Sequence, residues 1–172
     1  IKYLQSLGLI PNIQVITWND AFNFAAINNF AAEQCRSDYV CFLNNDIEIK
    51  DPQWLKKLLA VAKLDDVGAV GCTLLYPDSS IQHAGTALDE NTIAQHIAVG
   101  KNNDFLKEQG ITLPYAVDAV TAACLVMRKY QCLRMGGLNE DQLAVAFTYF
   151  YLFLRLSYTL LPLSLILIFL FL

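Results

Sequence analysis

The chain has 172 residues, enough for one domain with a real core and not obviously two. Its formal charge of −4 comes without any cluster of lysine or arginine, which excludes the basic footprint of a nucleic-acid binder. Five cysteines are odd in number and show no C-x-x-C spacing, so neither a zinc site nor a complete disulfide framework is expected. They suit buried small hydrophobes in a reducing, cytosolic setting.

In chain order, "IKYLQSLGLIPN" has neither an initiator Met nor a signal-peptide layout, and reads as a chain that begins in the middle of a domain. "NIQVITW" (12–18) predicts a short strand, and Asn19 or Asp20 an N-cap for a helix over "AFNFAAINNFAAEQC". "DYVCFL" (38–43) predicts a second, buried strand. In "DPQWLKKLLAVAK", Asp51 is the expected N-cap and Pro52 the first helical residue, with Leu55, Leu58, Leu59 and Ala62 on one face. "VGAVGCTLLY" predicts a third strand, "YPDSS" a turn and "IQHAGTAL" a short extended piece. Residues 89–113 read as a polar loop with one short helix, and "YAVDAVTAACLVM" as a single further buried strand. This alternation implies an α/β fold: a mainly parallel sheet joined by right-handed crossovers, with helices on both faces.

Residues 143–172 carry one charge, Arg155, and residues 156–172 none. Such a run sits at the short end of what crosses ~30 Å of hydrocarbon, and Pro162 is tolerable in it. An apolar, helix-like tail is therefore expected over 148–172, behind a soluble-type domain over 1–147.

One stretch carries chemistry. In "YVCFLNNDIEIKDPQWL" a buried strand ends on Asn44-Asn45-Asp46, with Glu48 two residues on. The carboxyl end of a strand is where open α/β sheets bind ligands, and along an extended segment Asn44, Asp46 and Glu48 point the same way. Oxygen donors at that spacing suit Mg²⁺ or Mn²⁺, which take one or two carboxylates and leave the other positions to water and a diphosphate. A plain Asx turn explains the same residues.

The segments "FNFAAINNFAAEQCRSDYVCFLNNDIEIKDPQWLKKLL", "VGAVGCTLLYPDSSIQHAGTAL", "AVTAACLVMRK" and "GGLNEDQLAVAF" resemble, in order and spacing, the family 2 glycosyltransferases of GT-A fold, in particular rhamnosyltransferase-like and O-antigen-type members. The likeness runs from about Phe22 to Phe147. It implies a partial GT-A, Rossmann-like domain lacking the usual N-terminal nucleotide-binding segment. It also implies inverting transfer of a sugar from a nucleoside diphosphate donor to a saccharide or lipid-linked saccharide acceptor of bacterial surface polysaccharide. "LNND" matches the family's D-x-D-type motif, which makes Asp46 the metal ligand and Glu48 a second candidate. Asn44 and Asn45 would contact ribose or diphosphate. The same resemblance puts His83 of "IQHAG" and Thr121 of "AVTAAC" at the donor pocket, where a hydrogen-bonded structural histidine and a tightly packed strand are the alternatives. Asp118 faces acceptor or solvent, and His96 receives no role.

The chain departs from the family at "TYFYLFLRL" (148–156), where the family pattern resembles N-D-V-D-F-C-L-R-L. Tyr149 and Tyr151 occupy the acidic positions, Tyr149 that of the general base, and a phenol of pKa near 10 is a poor base at neutral pH. Asp to Tyr, Val to Phe and Cys to Phe are each one G-to-T change away. The tail thus reads either as a membrane anchor at the cytoplasmic face, with Arg155 at its inner end, or as decayed or out-of-frame sequence, which is preferred because an anchor should follow a catalytic domain and not start inside it. Metal and nucleotide binding with little turnover is the expectation for the chain as written. A non-enzymatic membrane-anchored remnant is the alternative.

Overall fold

The computed structural model describes residue 6 and residues 10–89, 92–111, 114–141, 148–159 and 165–169. The first helix, α1, spans Phe24–Gln34. Its cap is Asn23, whose side chain accepts from the Ala26 amide at 3.0 Å, so the predicted cap lies three or four residues too early. The helix starts where a side-chain oxygen can reach a free amide of the first turn, and Asn19 and Asp20 stand before that point. Asn23→Ala should cost about 1 kcal/mol in urea unfolding; an unchanged midpoint would mean that the cap contributes nothing.

Strand β1 (Tyr39–Leu43) follows, then α2 (Trp54–Ala62) and β2 (Val67–Cys72). The helix begins two residues later than expected, with Gln53 at its cap position and Pro52 in the turn before it; Asp51 holds that turn, its carboxylate accepting from the Gln53 amide at 2.8 Å and from Lys57 Nζ at 2.6 Å. Of the predicted face, Leu58 and Ala62 are buried and Leu59 packs beside them, while Leu55 is exposed. Short strands β3 (Leu74–Leu75), β4 (Ile81–His83), β5 (Thr86–Asp89) and β6 (Thr92–His96) come next, followed by α3 (Phe105–Glu108). Then come β7 (Tyr115–Val117), β8 (Cys124–Arg128), α4 (Lys129–Arg134), α5 (Thr148–Thr159) and β9 (Leu165–Phe169).

The main sheet has five strands in the order β1-β8-β2-β9-β7. β8 runs antiparallel to β1 and β2, β7 runs antiparallel to β9, and the β2–β9 pair is parallel. The sheet is therefore mixed and not mainly parallel. The sequence pattern did predict that β1 and β2 share a direction with α2 crossing between them. It could not show that β8 inserts between the two, since a buried strand reads the same in either direction.

Alternation along β8 divides the core. Leu125 and Met127 pack on one face with α1, α4 and α5, whereas Cys124 and Val126 pack on the other with Leu58 and Ala62 of α2. Helices thus cover both faces. Cys72, Cys124 and Cys132 are buried as small hydrophobes; Cys35 and Cys41 are exposed.

Three further expectations are corrected. Residues 12–18 pair with no strand among the described residues, and Ile13, Val15 and Ile16 are exposed, because a β-branched run becomes a strand only beside a partner. "YAVDAVTAACLVM" divides into β7 and β8 around residues 118–123. Packing there is close: a Cβ on Gly71 of β2 would lie 2.7 Å from Val120 Cβ. The polar loop contributes a strand, β6, paired antiparallel with β5.

The apolar stretch over 148–172 is not helical throughout. Its first part forms α5, with Leu152, Phe153 and Leu156 buried in the main cluster, and β9 sits between β2 and β7. Among the described residues no helix is long and apolar enough to cross a membrane. Residues 142–147, 160–164 and 170–172 of the expected domain end and tail lie outside the described residues.

Candidate active site

The turn over residues 44–48 leaves the carboxyl end of β1. The Asn44 amide donates to the Ala123 carbonyl at 2.9 Å, just before β8, and the Ile47 amide donates to the Asn44 carbonyl at 3.5 Å. This turn forms one wall of a cleft of about 410 Å³; Leu74, Leu75 and Tyr76, beyond the end of β2, form the other. Asn44, Asp46 and Glu48 all line it, and so does Ile47 between them, because the chain turns at residues 45–46 and does not continue extended as alternation requires. Asn45 is exposed and is not among the lining residues.

Asp46 and Glu48 are exposed carboxylates, and Glu48 lies 2.8 Å from the Lys50 ammonium, itself a lining residue. Among the described residues no group of three or more His, Cys, Asp or Glu side chains is arranged to enclose a metal ion. One or two carboxylates on an open cleft are nevertheless what Mg²⁺ or Mn²⁺ requires when water and a diphosphate complete the shell. Asp46 and Glu48 fit that donor set.

His83 and Thr121 stand behind the cleft and do not line it. His83 is 1% exposed; its Nδ1 lies 2.7 Å from His96 Nδ1, and its Nε2 accepts from the Thr121 amide at 3.2 Å. Burial, aided by His96, pushes its pKa down to about 3. Its neighbour in β4, Gln82, lines the cleft instead. Strand alternation carries that signal: if one of the pair points inward, the other points out. Lys50, Tyr76, Ser79 and Gln82 are polar lining residues to which the sequence assigned no role, although Lys50 and Gln82 stand in the two stretches that drew attention. Asp118 is exposed.

Tyr149 lies on α5, partly buried against the main core cluster, where desolvation raises its pKa above the ordinary phenol value. Tyr151 is exposed, with the Arg155 guanidinium carbon 4.4 Å from its ring centroid. Arg155 Nη1 donates to the Met135 carbonyl, which ties α5 to the segment after α4.

The family model "Glycosyl transferase family 2" matches residues 1–131, most of the chain. The chain belongs to glycosyl transferase family 2. Among curated relatives it is 37% identical over 137 residues to "O-antigen biosynthesis protein RfbC" of Myxococcus xanthus, covering 76% of this chain and 10% of that protein. It is 38% identical over 144 residues to "Uncharacterized protein y4gI" of Sinorhizobium fredii (strain NBRC 101917 / NGR234), covering 82% of this chain and 16% of that protein. The chain therefore spans only a small part of the length of either relative. Within the family 2 match fall the 44–48 turn, β4 and the 118–123 segment, so the cleft and the groups behind it all lie in the matched region.

Proposed function

We propose that this chain supplies the donor-binding part of an inverting, nucleotide-sugar-dependent glycosyltransferase that builds bacterial surface polysaccharide. The observation that carries the reading is the convergence of Asn44, Asp46 and Glu48 on one cleft at the end of β1, within the family 2 match. Asp46, aided by Glu48, would hold Mg²⁺ or Mn²⁺, which when bound offsets the negative charge of the departing diphosphate. Asn44 presents its amide side chain on the same wall to diphosphate or ribose, and Asn45 does so at the turn's outer edge. His83 and Thr121 support the donor site from behind it.

In an inverting displacement the acceptor hydroxyl of a saccharide or lipid-linked saccharide must lose its proton to a base. The partly buried Tyr149 phenol, with its pKa raised, is a worse base than an exposed tyrosine. Binding of a nucleoside diphosphate with little turnover is the behaviour proposed for this chain. The site of action is the cytoplasmic face of the membrane, where lipid-linked acceptors are reached by peripheral association.

Titration calorimetry with UDP, dTDP and GDP, each with and without Mn²⁺, tests the reading. Asp46→Ala should weaken the Mn²⁺-dependent affinity by roughly tenfold or more. If the alanine variant binds as the parent does, Asp46 is not the ligand. If no nucleotide binds in either condition, the non-enzymatic remnant becomes the better account.

A further inference from the structure

We propose that His83 is a positioning residue for the 44–46 turn, acting through Thr121 and Ala123 without touching the ligand. Three hydrogen bonds in series connect it to the turn. His83 Nε2 accepts from the Thr121 amide at 3.2 Å, and Thr121 Oγ1 accepts from the Ala123 amide at 3.3 Å. The Ala123 carbonyl then accepts from the Asn44 amide at 2.9 Å. On its other side His83 Nδ1 meets His96 Nδ1 at 2.7 Å.

The pattern fixes the proton positions. An Nε2 that accepts from a backbone amide carries no proton, so the neutral ring is protonated on Nδ1. That Nδ1–H donates to His96 Nδ1, which must be unprotonated, leaving the His96 proton on Nε2. Both nitrogens of the buried ring are thus committed, one to an exposed imidazole on β6 and the other to the segment entering β8. A side chain needed for packing alone would be cheaper as leucine, because a buried imidazole gives up its hydration.

The segment that His83 holds is one a small error would disturb. Val120 is fully buried against Gly71, and the carbonyl two residues beyond Thr121 anchors the first residue of the metal-binding wall. Loss of the His83 acceptor leaves the Thr121 amide unpaired and frees the segment to shift, carrying Ala123 and the Asn44 amide with it. The inference rests on the donor-site reading above and goes beyond it by assigning His83 its route of action.

The test compares His83→Gln, which keeps an acceptor near the Nε2 position, with His83→Asn, which keeps only a group near Nδ1. Two quantities are read on the full chain: Mn²⁺ affinity from water-proton relaxation, and amide exchange of Asn44 against that of Val126 in the central strand. The glutamine variant should stay within about threefold of the parent in both. The asparagine variant should bind Mn²⁺ about tenfold more weakly and lose Asn44 protection while Val126 is unchanged. Thr121→Val, which removes the hydroxyl acceptor with little change of shape, should reproduce the Asn44 effect if the asparagine variant does not fold. Equal Mn²⁺ affinity and equal Asn44 protection in the glutamine and asparagine variants would overturn the relay. Asp46→Ala is run beside them: an unchanged Mn²⁺ affinity there defeats the metal reading alone, because the exchange measurement needs no metal.

Discussion

Phe153→Ala should destabilise the protein by about 3–5 kcal/mol in urea unfolding. Phe153 is 1% exposed and lies beside Leu152 and Leu156 on α5, in the cluster that also holds Leu138, Met135 and Met127. Truncation there removes the apolar contact and leaves a cavity between a helix and the sheet, which the rigid strand side cannot fill. Tyr151→Ala on the exposed side of the same helix should cost about 1 kcal/mol at most, since the Arg155 stack is what it loses. The contrast carries the meaning. Equal losses from the two substitutions would show that α5 does not pack into the core, and would revive the reading of this stretch as a tail outside the domain.

The second large effect is on pH dependence. His83 has its pKa lowered to about 3 by burial, with His96 adding to it, against an ordinary value of 6.5. Above that ordinary value the ring is neutral in both folded and unfolded chains, so its contribution to stability is fully present. As pH falls below 6.5 the unfolded chain takes up a proton that the folded chain refuses. Stability is then lost, with a slope approaching about 1.4 kcal/mol per pH unit, until pH nears 3. Carboxylates add their own losses in the lower part of that window, so the decisive quantity is the difference from His83→Gln, which has nothing to titrate there. Unfolding midpoints between pH 4 and pH 7 (about three units, within the window set by the shift) should fall less steeply for the glutamine variant. Parallel curves would mean that the ring is not kept neutral by the fold.

Several features were legible in the residues themselves. A buried run followed by Asn44-Asn45-Asp46 marked the end of β1 and the turn beyond it, because residues of this type bond their own backbone and end a strand locally. The helix after Asp51 was legible from its apolar face, though not its cap, and "IQHAGTAL" as extended, though not that it breaks at Gly85 into β4 and β5 of different sheets. His83 was singled out, but its side of β4 was not. Gln82 and His83 differ only in which face they present, and that depends on the pairing of His83 with Leu74 across β3.

The failures share one cause. "NIQVITW" has the composition of a strand but no partner among the described strands, whereas "LILIF", read as part of an apolar tail, finds β2 and β7 on its two sides. A hydrophobic run states only that it must leave water; whether it does so in lipid, in a helix against a sheet or as a strand within one depends on what else is nearby. The sequence by itself determined the family, the position of Asn44, Asp46 and Glu48 past the end of β1, and the order β1-α2-β2, since these rest on local order along the chain; the run of β3 to β6, with no helix between them among the described residues, it did not. The tertiary structure decided the antiparallel insertion of β8 between β1 and β2, the burial of α5 and the linkage of His83 to the 44–46 turn. Each of these joins residues far apart in the chain, and only the folded arrangement brings their hydrogen-bonding groups and apolar surfaces together.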